Sequence, residues 1–89
     1  MGYFITVKNV LGAAMKSVPI KLKLAEDVKK FVSIVEKYNY EIDLRDGRHV
    51  VNAKSLLGIF SLELSSPLVL EIFSDDCDNL LEDIKPFIA

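Results

Sequence analysis

The sequence predicts an α+β domain in which a small sheet carries helices on one face. Three observations lead there. Hydrophobic periodicity switches between two residues and about 3.6 residues several times along the chain. A turn signal, Asp46-Gly47-Arg48, separates two alternating segments. An apolar share of 51% over 89 residues is enough for one small core and too little chain for two.

Each element follows from its own pattern. In "VPIKLKL", Val18, Ile20, Leu22 and Leu24 alternate with Lys21 and Lys23, as in a half-buried strand, and Pro19 near its start places that strand on a sheet edge. Val28, Phe31, Val32 and Val35 then fall at helical spacing, with Glu26, Asp27, Lys29, Lys30 and Glu36 on the other face. Acidic residues suit the positive N-terminal end of that helix. Tyr40, Ile42 and Leu44 return to period two, and "HVVNA" pairs back after the turn, so residues 40–53 read as a hairpin. A short helix follows Ser55. After "SSP", "LVLEIF" is apolar at most positions and reads as a central strand. "SDDCDN" reads as an N-cap with an acidic first turn, and Cys77, Leu80, Leu81, Ile84 and Phe87 or Ile88 form the buried stripe of a closing helix. The order is strand, helix, strand, strand, short helix, strand, helix, which packs as a sheet covered on one side.

Composition narrows the function classes. A formal net charge of −2 gives no basic footprint for nucleic acid. The single cysteine, Cys77, forms no internal disulfide or cysteine zinc cage and fits a reducing cytoplasm. His49, the one histidine, builds no histidine metal cluster and reads as a solvent-facing strand residue. "SDDCDN" lacks the glycine and distal glutamate of a calcium loop. No metal or cofactor is expected. The opening "MGYFITVKNVLGAA" is too short to span a membrane, which takes about 20 apolar residues, and lacks the basic start of a secretory signal. Residues 1–17 therefore read as an N-terminal extension before a domain at 18–89, with Met15 a second possible start and "YFITV" able to add a short strand.

The order of elements and the stretch "KYNYEIDLRDGRHVVNAKSLLGIFSLEL" resemble HPr, the histidine-containing phosphocarrier of the bacterial sugar phosphotransferase system. Asn52, Ala53, Lys54, Ser55, Leu56, Leu57 and Gly58 match the family's central motif. The resemblance covers about Val18 to Ala89 and implies an open-faced sandwich, β-α-β-β-α-β-α, with a four-stranded antiparallel sheet in the order 1-4-2-3. It also implies two phosphorylation sites. One is a histidine in a Gly-x-His-x-Arg-Pro loop between the first strand and first helix. The other, in some Gram-positive relatives, is the serine matching Ser55.

At the histidine loop this sequence departs from the family. "KLAED" stands there, with Leu24 near the histidine position and Glu26 near the arginine. A leucine cannot attack phosphorus, and a glutamate repels a phosphoryl donor. The expected function is accordingly that of a non-catalytic HPr-like protein, not an enzyme, acting in the cytoplasm as a regulator or adaptor. Ser55 is expected both to cap the short helix and to accept a regulatory phosphate, which a helix N-terminus tolerates. Lys54, Leu56, Leu57, Ile59 and Phe60 form the expected partner surface, apolar at its centre with Lys54 at the rim; the other reading is that most of the apolar ones, Leu57 and Phe60 among them, close the core under the short helix. The resemblance implies a serine kinase of the phosphotransferase system, or a catabolite-control regulator, as protein partner. Two other readings stand beside this one: a phosphotransfer protein with an unrecognised acceptor, and a structural or oligomerisation module using the extension.

Overall fold

A computed structural model describes the backbone at residues 5–8 and 14–89, with side chains from residue 15 onward. Its elements are β1 (Ile5–Lys8), β2 (Ala14–Ile20), α1 (Ala25–Val35), β3 (Ile42–Asp46), β4 (His49–Asn52), α2 (Leu56–Phe60), β5 (Leu68–Ile72) and α3 (Asp78–Asp83), closed by a 3-10 turn at Lys85–Phe87. The strands form one antiparallel sheet in the order β1-β2-β5-β3-β4. Counted from β2, that is 1-4-2-3, the order the sequence resemblance implies. β1 is an additional strand outside β2, within the stretch expected to supply one.

Alternation along three strands builds the core. Val18 lies opposite Leu70, which lies opposite Leu44, and all three are fully buried. Ile20, Leu68, Ile42 and Ile72 extend the same face. Against it α1 lays Val28, Phe31, Val32 and Val35, and α3 adds Leu80 and Leu81. Phe31 also meets Phe87 edge to face, with ring centroids 6.0 Å apart. The opposite face of the sheet is more open, with Val69 and Val50 exposed.

Several sequence expectations shift. The first core strand runs over Ala14–Ile20 instead of starting at Val18, and β1 flanks its first half, so it is no simple edge. Pro19 keeps its edge character locally. Its carbonyl points outward to accept from the Ala89 N–H, and a proline's missing donor falls on that same side. Leu22 continues the alternation into the core, whereas Leu24 swings out to 65% exposure where the chain turns into α1. At the last helix the N-cap is Cys77, with no side-chain cap, because Ser74 Oγ is engaged in a local turn with the N–H and carbonyl of Asp76. Cys77 is buried, and burial pushes its thiol pKa up. Pro86 ends α3 early, since it has no N–H to continue the ladder, and the stripe runs on through Ile84 into the 3-10 turn.

The hairpin turn between β3 and β4 has a positive φ, +59°, at Gly47, the first of its two loop residues. That is the requirement of a type II′ turn, which matches strand twist. On the open face, Arg45 bridges to Glu71 at 2.9 Å, with Glu71 almost wholly covered. Asp43 lies opposite Glu71. Burial, then the charges of Glu41 and Glu71, raise the Asp43 pKa, and Arg45 only partly opposes them.

A raised carboxyl pKa makes the ionised folded state less favourable than the ionised unfolded chain. The associated stability is therefore fully present below the ordinary value of 3.8 and lost as pH rises through the raised one. Asp43→Asn is expected to raise the melting temperature at neutral pH and to leave it unchanged in acid below that ordinary value. Thermal melts of both proteins across pH check this.

Candidate functional site

The segment Asn52–Phe60 is built by local hydrogen bonds that the sequence motif dictates. Asn52 Oδ1 accepts from the Lys54 N–H at 2.8 Å, and the Asn52 carbonyl accepts from the Ser55 N–H at 2.9 Å. This side-chain turn reverses the chain off β4. Ala53 is fully buried, and its N–H reaches the Ile42 carbonyl. Ser55, extended at φ −99°, then caps α2, its Oγ accepting from the Gly58 N–H at 3.1 Å. Gly58 allows this approach, because a Cβ there would stand 2.9 Å from Ser55 Oγ and 3.3 Å from the Val51 Cβ. No acidic residue occupies the first turn of α2.

The five expected partner residues separate on inspection. Leu57, at 82% exposed, and Phe60, at 41%, form the apolar surface, with half-buried Leu56 at its margin. Ile59 is fully buried and is corrected from a surface residue to a core residue. On a helix this short one side must face the sheet, and Ile59 is the side chain that does. Lys54 is also corrected. Its ammonium turns inward and donates to the carbonyls of Tyr38, at 2.5 Å, and Tyr40, at 3.1 Å, instead of standing free at a rim. It thereby ties the segment leaving α1 to the start of α2.

The junction between β2 and α1 is the second region of interest. Leu24 is the N-cap of α1, extended at φ −118°, and offers no capping oxygen. Asp27 compensates from the third helical position: one carboxylate oxygen accepts from the Leu24 N–H at 3.0 Å and the Lys23 N–H at 3.1 Å. This is the return half of a capping box. Sequence reasoning treated Asp27 only as an acidic residue near a helix start; the spacing of an acid three residues after the cap was the signal for its specific role. His49 lies exposed at the start of β4, paired in register with Asp46 beside the hairpin turn.

A family model described as "PTS HPr component phosphorylation site" matches residues 24–89. The chain belongs to the PTS-HPr family. Among solved structures, the chain is similar to one titled "Crystal structure of HPr-C-His from Thermoanaerobacter tengcongensis". Identity is 28%, the match covers 83% of this chain and 89% of the other, and the TM-score is 0.67. No curated protein matches. The HPr fold thus accounts for β2 through α3, and HPr proteins are phosphocarriers of the phosphotransferase system that work by contact with its other proteins. No helix among the described residues is long and apolar enough to cross a membrane.

The cap geometry generates two expectations. Ser55→Ala should cost about 1 kcal/mol, and Ser55→Asp should fold with near wild-type stability, because aspartate caps as well as serine. Denaturant titration measures both. Replacing Ile59 with serine should cost roughly 3 kcal/mol or more through loss of core packing, whereas Leu57→Ser should stay within about 0.5 kcal/mol. The same titrations distinguish buried from surface residues of α2.

Proposed function

We propose that this HPr protein is a variant without the acceptor histidine, a non-catalytic regulator or adaptor of the phosphoenolpyruvate-dependent sugar phosphotransferase system. The observation that carries this reading is the β2–α1 junction. Phosphoryl transfer through histidine needs an imidazole nucleophile and donors for the phosphoryl oxygens. At this junction the N-cap is the aliphatic Leu24, and the amides of Lys23 and Leu24 are already held by the Asp27 carboxylate. A phosphoryl group brought there would meet a negative charge in place of free donors. His49 is a poor substitute, since it sits on an exposed hairpin with Asp46 opposite.

In this reading the protein is controlled through Ser55. The Ser55 hydroxyl lies at the start of α2, where first-turn amides lack partners within the helix, so a phosphate there adds acceptors without disturbing the sheet. Leu57 and Phe60, two and five residues along, supply the exposed apolar contact for a protein partner: a serine kinase of the system or a catabolite-control regulator. Such a role is cytoplasmic.

The test sets two donors side by side. Phosphoenolpyruvate with the general transfer enzyme of the system should leave the protein unlabelled. ATP with the serine kinase should label wild type but not Ser55→Ala, as read by phosphopeptide mapping. Acid-labile phosphate mapped to His49 would establish a phosphocarrier instead, and label on Ser61, Ser65 or Ser66 alone would leave Ser55 only a cap.

A further inference from the structure

The face of the sheet turned away from the helices carries two rows of side chains set by strand register. In one row Pro19, Val69, Arg45 and Val50 follow one another across β2, β5, β3 and β4. Val69 and Val50 are exposed and Pro19 is half-buried, while the Arg45 guanidinium leans out of this row to Glu71. In the next row Ser17, Glu71, Asp43 and Asn52 cross the same strands. A strand spacing of about 4.8 Å sets the Glu71 and Asp43 side chains beside each other. Glu41 extends the ladder through its carbonyl, which accepts from the Phe73 N–H at 3.0 Å, and its charge reaches Asp43. Three carboxylates thus meet one guanidinium, and that guanidinium is bound to Glu71. Asp43 has no hydrogen bond or salt bridge of its own among the described residues.

We propose that this face docks a segment of a partner protein that carries arginine or lysine between aliphatic side chains. The charge names the polar half of the occupant: with Arg45 counted in full, Glu41, Asp43 and Glu71 leave the patch net negative. The exposed valines on either side of Arg45 name the apolar half. A bare metal ion does not fit as well, since no three His, Cys, Asp or Glu side chains among the described residues are placed to hold one. Asp43 costs the free protein stability where it stands, because burial and two neighbouring carboxylates oppose its ionisation. A local rule broken without compensation inside the fold is expected at a surface with a task outside folding. An arriving guanidinium or ammonium removes that cost, and the aliphatic groups beside it cover Val50 and Val69. Both contacts then share a single loss of translational freedom. The helices, α2 included, bury their apolar residues against the other face, so this surface is separate from the Ser55 one.

The probe is the peptide acetyl-leucyl-arginyl-leucyl-arginine amide, followed in amide NMR spectra of the full chain, with the same peptide carrying citrulline for arginine as its uncharged control. The charged peptide should shift the amides of residues 43–45, 50 and 69–71, and the control should bind at least about fivefold more weakly. Asp43→Asn should raise the melting temperature at neutral pH and yet lose at least about fivefold in affinity, opposite signs that a general loosening of the fold does not produce. Equal binding of the control, unchanged affinity in Asp43→Asn, shifts confined to residues 55–61 or 74–83, or no shift at roughly 5 mM peptide would each overturn the assignment.

Discussion

The structure depends on β5 lying between β2 and β3. Residues 69–72 of that strand are committed on two sides by backbone pairing and Leu68 on one, and Leu68, Leu70 and Ile72 are committed again by burial beneath the helices. A slip of one residue would turn those three outward and bring Val69 and Glu71 into the core. The Arg45–Glu71 pair on the open face opposes the same slip, because it holds only while Glu71 faces away from the helices. Register in the centre thus sets where β2 delivers the chain to α1 and where β4 delivers it to α2.

Most of this architecture is legible in the residues themselves. The hairpin can be read from Asp46-Gly47-Arg48, because a glycine is needed at a positive φ, and α1 from the spacing of Val28, Phe31, Val32 and Val35. The limits are equally physical. Residues 14–17 carry no clean alternation, so the true start of β2 emerges only through pairing with β1 and β5. Ser74 satisfies itself within a local turn, an option open to any serine near a helix start, and the cap falls to Cys77 instead. Lys54 reads from sequence as a solvated cation; its inward course depends on the Tyr38 and Tyr40 carbonyls, fourteen and more positions away. Ile59 and Leu57 are both apolar and two residues apart, and only the contact with the sheet decides which is covered.

The two regions of functional interest differ in how their polar groups are used. At α2 the side-chain oxygen of Ser55 serves the helix while the surface beside it stays apolar and open. At α1 the cap side chain contributes nothing, and Asp27 holds the amides of Lys23 and Leu24 from inside the helix. One helix start is capped by a hydroxyl of its own cap residue; the other is held by a carboxylate reaching back from the third helical position.

The outer edge of β2 is closed in two instalments. β1 pairs with Ala14–Ser17, and the last residues of the chain take over beyond it, with Phe87 accepting from Lys21, Ile88 opposite Ile20 and Ala89 donating to Pro19. Bare strand edges are templates on which another chain can add a strand, the first step of sheet-to-sheet aggregation. Segments from distant parts of the sequence share the task of denying that template, so clipping either one would turn half of β2 into an adhesive surface.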